Sequence, residues 1–250
     1  MIYVTGDTHS DFRRFDVMCF PEQRHMTKDD YVIICGDFGG VWFDEGNKNY
    51  SEQEKRLDAL ENKPFTTLFV DGNHENFDIL NSLEVHDWNG GKIHKVRDTV
   101  FHLMRGEMFD INGTRIFALG GAESHDIQDG ILEFENWHKE AKKLWIQGKD
   151  MYRVKHLSWW EQELPSKEEL KHADETLEKY NYECDFFITH CCAVSTGALI
   201  GVPENNEFTQ YLEKLKYEIK YKKHFFGHHH DNRNLPDNEI LIYEQIIRVA

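Results

Sequence analysis

Residues 31–40 read YVIICGDFGG: five residues suited to a buried strand, then at once an aspartate set among glycines. A short apolar run of this kind, halted by Gly-Asp, fits the interior of a parallel sheet, whose strands are covered on both faces. The arrangement recurs on either side. Upstream, residues 2–4 (IYV) lead into GDTHSDF at 6–12; downstream, TTLFV at 66–70 leads into DGNHENF at 71–77. Between the second and third runs, YSEQEKRLDALENK (50–63) has helical spacing, with Ser51 expected as N-cap and Glu54 completing a capping box. Strand, polar glycine-containing loop and helix, repeated, predict an α/β chain whose chemistry sits on loops at the strand ends.

Outward from there the pattern changes. Residues 96–121 read as β-rich, with Asn112-Gly113 a hairpin turn. From 122 to about 182 the chain is Glu/Lys-rich, reads as helical and holds Trp137, Trp145, Trp159 and Trp160. Pro165-Ser166 places a helix start near Lys167. Strands return at 185–189 (DFFIT), at 224–226 and in ILIYEQIIRV at 240–249. No repeat or Pro/Gly/Ser linker interrupts the chain, so a single domain over 1–250 with a helical insert at about 122–182 is expected.

Composition narrows the function classes. Lys and Arg total 29 against 45 Asp and Glu, a net charge of −16, which opposes extensive nonspecific binding to nucleic acid. A small nucleotide at a local positive site stays compatible with it. No apolar run approaches the roughly 20 residues of a membrane span, and residues 1–12 lack the basic start of a signal peptide. Cys19, Cys35, Cys184, Cys191 and Cys192 form no CxxC pattern; free thiols and a cytoplasmic location are expected.

Polar donors gather just past the apolar runs: Asp7 and His9, Asp37, Asn73 and His74, His190, then His228 and His230. Their oxygen and imidazole atoms suit Mn, Fe, Zn or Ni better than a thiolate-preferring metal. Asp7 and His9 are two apart, as are His228 and His230, so an extended backbone points each pair one way and turns His229 aside. Any one such element arises by chance; five in order, each at a strand exit, do not.

Asp7-Thr8-His9, Gly36-Asp37, Gly72-Asn73-His74-Glu75, His190 and Gly227-His228-His229-His230 together resemble the calcineurin-like metallophosphoesterase family, whose pattern runs DxH, GD, GNH(E/D), H, GHxH. The resemblance spans residues 3–230. It implies a four-layer β-sandwich flanked by helices and two divalent or mixed-valence ions, with manganese the first choice. It also implies that Asp7, His9, Asp37 and His230 hold one ion and Asp37, Asn73, His190 and His228 the other, Asp37 bridging. His74 then faces the substrate as general acid. The implied activity is hydrolysis of a phosphate mono- or diester by in-line attack of a hydroxide bridging the ions, set roughly 3.5–4 Å apart. With Asp7, Asp37 and that hydroxide counted, such a site is about one unit positive within an acidic protein, and so attracts phosphate. A noncatalytic metal-binding scaffold of the same fold is the alternative.

The sequence departs from the family at one element. Serine/threonine protein phosphatases read GDxxDRG where this chain has GDFGGVW at 36–42, so their phosphate-holding arginine is missing. Arg13, Arg14, Arg105 and Arg233 are the candidates to replace it. Glu75 has two readings, as hydrogen-bonding support or as the start of a helix in ENFDILNSL (75–83). Trp159 and Trp160 either stack on a base, pointing to a nucleotide or nucleic-acid phosphodiesterase, or pack the insert onto the sheet. The loop GGAESHD at 120–126 follows a predicted strand and is expected near the metal mouth.

Overall fold

The computed structural model describes residues 1–250. The chain begins with β1 (Ile2–Thr5), β2 (Tyr31–Cys35), α1 (Tyr50–Glu61), β3 (Thr66–Val70) and the single-turn α2 (Phe77–Leu80). Three strands follow, β4 (Val85–Trp88), β5 (Gly91–Arg97) and β6 (Val100–Leu103), then the hairpin β7 (Glu107–Ile111) and β8 (Thr114–Leu119). Next come β9 (Gly130–Leu132), α3 (Trp137–Ile146), β10 (Tyr152–Val154) and α4 (Lys167–Lys179). The last part holds β11 (Phe186–Thr189), α5 (Val194–Ile200), α6 (Glu207–Glu218), β12 (Lys223–Phe226), β13 (Arg233–Asn234), β14 (Glu239–Leu241) and β15 (Ile246–Arg248).

Two mixed sheets form, ordered β15-β1-β2-β3-β6-β5-β4 and β13-β14-β12-β11-β8-β7. Within them β1, β2, β3 and β6 run parallel, as do β8, β11, β12 and β14. Alternation along each strand creates the layers. Ile33 and Cys35 of β2, Leu68 and Val70 of β3, and Ile116 and Ala118 of β8 fill the core between the sheets. Their neighbours face outward: Val32, Ile34 and Phe69 pack under Leu57 and Leu60 of α1. Phe117 and Phe187 pack under Ala173 and Leu177 of α4 and Leu212 and Leu215 of α6. Helix, sheet, sheet, helix is the four-layer sandwich the resemblance implies.

Local expectations fare unevenly. Ser166 caps α4, its hydroxyl accepting from the Glu169 amide at 3.2 Å while the Glu169 carboxylate accepts from the Ser166 amide at 2.7 Å. The Asn112-Gly113 turn has φ of 54° and 82°, the double left-handed geometry of a tight hairpin. Ser51, by contrast, is not a cap: the N-cap position falls two residues earlier, at Asn49, and Glu54 pairs with Arg97 at 2.6 Å instead. A long-range ion pair outcompetes the local box. The stretch 122–182 is mixed, since β9 and β10 pair in parallel around α3. The run at 240–249 is two strands in different sheets, β14 in the second and β15 in the first. No helix is long and apolar enough to cross a membrane.

Candidate metal centre

The loops after β1, β2 and β3 of one sheet and after β11 and β12 of the other leave the same end of the sandwich. They carry Asp7 and His9, Asp37, Asn73 and His74, His190, and His228 and His230 respectively. All of the residues expected at the site are therefore brought to one place. The ligand atoms of Asp7, His9, Asp37 and His230 lie within 4.8 Å of one another. His230 Nε2 is 3.1 Å from Asp7 Oδ2 and 3.0 Å from His9 Nε2, which lies 3.6 Å from Asp37 Oδ2. On the other side of Asp37, His190 Nε2 stands 3.2 Å from Oδ1. Asp37 thus lies between the two groups.

Backbone geometry is spent on this convergence. His9, Asp37, His228 and His230 adopt φ of 45°, 45°, 69° and 48°, a left-handed region that costs side-chain-bearing residues about 1 kcal/mol or more each. Glycine is needed beside them for space. A Cβ on Gly72 would stand 2.1 Å from Asp37 Oδ1, and one on Gly36 2.2 Å from His190 Nδ1.

Whether metal fits is decided by three atoms. Asn73 Oδ1, His190 Nε2 and His228 Nε2 are buried and make no well-formed hydrogen bond; the nearest acceptors of the two imidazoles are carboxylates, Asp37 Oδ1 at 3.2 Å and Glu204 Oε1 at 3.5 Å. Buried lone pairs without partners are costly, and a cation held by these residues would satisfy them. Their neighbours fix the orientations. His190 Nδ1 donates to the Cys35 carbonyl at 2.8 Å, which turns Nε2 toward Asp37, and Asn73 Nδ2 donates to Ser124 Oγ at 3.3 Å, leaving Oδ1 inward. Asp7 accepts from the His228 amide at 3.1 Å and Asp37 from the His74 amide at 2.8 Å. Burial opposes a charge on His190, yet Asp37 and Asp7 together raise its pKa to about 10. The two carboxylates call for positive charge, which a proton on His190 supplies here and a divalent ion would supply in its place.

Glu75 follows the hydrogen-bonding reading. Buried, it accepts from the amides of Phe38 at 2.7 Å and Gly39 at 3.1 Å, tying the His74 loop to the Asp37 loop. His229 turns away from Asp37, with Nε2 3.7 Å from Cys192 Sγ. Cys191 and Cys192 are buried free thiols. Trp160 is buried, edge-on to Trp42 at 5.5 Å, and its indole N–H donates to Asp78; this is packing, not an open stacking face.

None of the four candidate arginines takes the phosphate-holding place. Arg13 and Arg233 pair with Asp11 and Asp231 at the surface, and Arg14 donates to the carbonyls of Gly6, Asp7 and Tyr243. Arg105 is buried against Asp71. The cation that reaches the site is Arg153 of β10, which sequence reading missed. Its Nη2 lies 3.1 Å from His74 Nε2, with Nε on Asp126 at 2.5 Å and Nη1 on the Ser158 carbonyl at 2.8 Å. Through Ser124 and Asp126 the 120–126 loop does reach the centre. Burial first, and Arg153 next to it, lower the His74 pKa to about 4 against the pull of Asp37. A second donor set lies behind His228: Glu204 Oε1 is 3.5 Å from His228 Nε2 and 3.1 Å from His125 Nε2.

A two-sheet sandwich with this centre at one end is the architecture of a metallophosphoesterase. The chain belongs to the calcineurin-like phosphoesterase family, which it matches over residues 1–232. It is similar to the lariat debranching enzyme of Drosophila pseudoobscura pseudoobscura, 25% identical over 170 residues, or 63% of this chain and 30% of that protein. Lariat debranching enzyme A of Xenopus laevis is 24% identical over 62% of this chain and 30% of its own length. The Danio rerio lariat debranching enzyme is 25% identical over 62% and 28%. The chain thus spans under a third of the length of these relatives.

Proposed function

We propose that the chain hydrolyses a phosphate ester, preferentially a diester, at a dinuclear centre. Asp7, His9, Asp37 and His230 hold one ion; Asp37, Asn73, His190 and His228 hold the other. The observation that carries this is the set of donors around Asp37: Asp7, His9 and His230 with ligand atoms within 4.8 Å of one another and of Asp37, and His190 Nε2 3.2 Å from Asp37 Oδ1. A divalent pair bound there supplies a hydroxide near neutral pH and polarises the phosphoryl oxygens. Oxygen and imidazole donors without thiolate favour manganese, with iron, zinc or nickel as substitutes.

The chain's own residues do the remaining work. Asp37 stays ionised between the two donor groups and its Oδ1 fixes the His74 backbone. Arg153 and His74 face the substrate, in place of the arginine absent from GDFGGVW. While Arg153 donates to it, His74 Nε2 is a lone-pair nitrogen. A phosphate that draws Arg153 onto its own oxygens frees Nε2 to take up a proton and pass it to the leaving oxygen. The 122–182 insert supplies Arg153, Asp126 and Ser124, and so shapes selectivity. A cleft beside His9 and His74 leaves room for a second ester substituent, which favours a diester. Five free thiols support a reducing compartment, the cytoplasm.

Elemental analysis of metal-reconstituted protein tests the centre: two equivalents per chain are expected, and one or none overturns it. In Asp37→Asn both equivalents should weaken together, since the loss leaves two cations facing each other across a short gap. Rates on an aryl phosphomonoester and its diester, before and after a chelator, test the reaction. Metal retained without turnover of either ester would indicate the noncatalytic scaffold.

A further inference from the structure

A cavity of about 470 Å³ opens directly beside the centre, with His9 and His74 at its inner end. Trp42 and Phe43 form its apolar wall, and Asn49 and Arg56 line its polar side. The wall is rigidly built. Gln53, itself buried, accepts from the amides of Trp42 at 2.6 Å and Phe43 at 2.8 Å and donates to the Phe43 carbonyl at 3.1 Å. Asn76 donates to the Trp42 carbonyl at 2.9 Å, and the indole of Trp160 braces Trp42 edge-on. Both aromatic residues are half-buried, so part of each ring remains open to the cleft.

We infer that this cleft receives a nucleobase, so that the substrate is a nucleotidyl phosphodiester whose base lies against Trp42 and Phe43. The inference rests on the phosphoesterase reading and names the substrate class for it. A phosphate over Asp37 projects one ester substituent toward His9 and His74, and hence into the cleft. Pre-set aromatic rings lose little freedom on binding and accept any base through its π-face. Arg56 is the one lysine or arginine lining the cleft. Its side chain is half exposed and holds only long contacts, 3.5 Å to Glu52, which also lines the cleft, and 3.4 and 3.5 Å to the hydroxyl and carbonyl of Ser10, which leaves it available to a neighbouring phosphate. A cleft of about 470 Å³ suits a single nucleoside, so the part of the ligand recognised here is of mono- or dinucleotide size.

The test compares a dinucleoside monophosphate with its abasic counterpart, using Mn²⁺-loaded protein, and follows kcat/KM for each. The base should improve kcat/KM in the wild type, and Trp42→Ala or Phe43→Ala should cut that ratio roughly tenfold to a hundredfold. Trp42→Phe, which keeps a ring, should restore most of it. An equal loss on both substrates would assign the rings a structural role and overturn the inference, as would an unchanged ratio. Calorimetric titration of AMP against ribose 5-phosphate separates the cleft from the chemistry. Base-dependent binding that weakens in Trp42→Ala supports the cleft even if no ester turns over, in which case only the hydrolytic reading fails. AMP binding no tighter than ribose 5-phosphate overturns the inference.

Discussion

In the proposed reaction His74 and Arg153 divide the substrate-facing work, and variants tell them apart. His74→Asn should keep both metals and the fold but lower kcat roughly 10²–10⁴-fold on an alkyl ester. The loss should shrink on a nitrophenyl ester, whose leaving group needs less protonation; kcat on both esters, with metal content, decides it. An equal loss would make His74 a stabiliser of the transition-state oxygens. Arg153→Ala removes a cation held 3.1 Å from His74 Nε2. Its kcat/KM should fall on the order of a hundredfold. In the metal-free protein the His74 pKa should rise from about 4, because one of the influences depressing it is gone; the C2–H resonance reads this directly. An unmoved resonance would deny the contact. The residues proposed as ligands were legible in the sequence because each follows its strand within a few positions. Arg153 was not, because its partner lies 79 residues away and no spacing announces the contact.

At the scale of elements, loops and strand junctions carry the burden. Gly72 joins β3 to the Asn73 loop with no room for a methyl group, since a Cβ there would meet Asp37 Oδ1 at 2.1 Å. Gly72→Ala should fold but bind metal at least tenfold more weakly, measured by competition with a chromophoric chelator. Unchanged affinity would mean that the loop yields freely. Away from the centre, Glu239 of β14 ties three other elements together. It accepts from Thr196 of α5 at 2.6 Å and Lys216 of α6 at 2.8 Å, and lies 3.3 Å from His224 Nδ1 of β12. Burial pushes its carboxyl pKa up, but these partners outweigh burial and hold it down at about 2. The unfolded chain therefore binds more protons between that value and the ordinary carboxylate range. Stability from Glu239, about 3 kcal/mol, is fully present above that range and lost as pH falls through about 2. Glu239→Gln should unfold more easily at neutral pH and show a flatter acid limb in denaturant titrations; parallel limbs would refute the assignment. The α4 cap was legible because four consecutive residues contain it. The β9–β10 pair was not, because each strand is three residues long and its partner lies beyond a helix.

Over the whole molecule, strands were legible in both halves as short apolar runs, while the four-layer stacking was implied by the family resemblance. What the sequence concealed was the path of the last segment. The chain leaves β14 at Leu241 and enters the other sheet as β15, where Tyr3 pairs with Arg248, Val4 with Ile247 and Thr5 with Ile246. Apolar character alone gives no sign of such a crossing, because both strands are equally apolar. That one pairing has a bearing on how the protein is made. β1 leaves the ribosome well before β15, so its outer edge has no partner until residues 246–248 have emerged. Meanwhile Ile2, Tyr3 and Val4 present an open, apolar edge of the kind that recruits strands from other chains. The ladder on the β2 side can form early. The edge facing β15 closes across nearly the entire chain, a closure that comes late and slowly. Newly made chains thus pass through an interval in which the sandwich is largely assembled and its first strand is still sticky. Chaperone demand and aggregation during expression should concentrate in that interval.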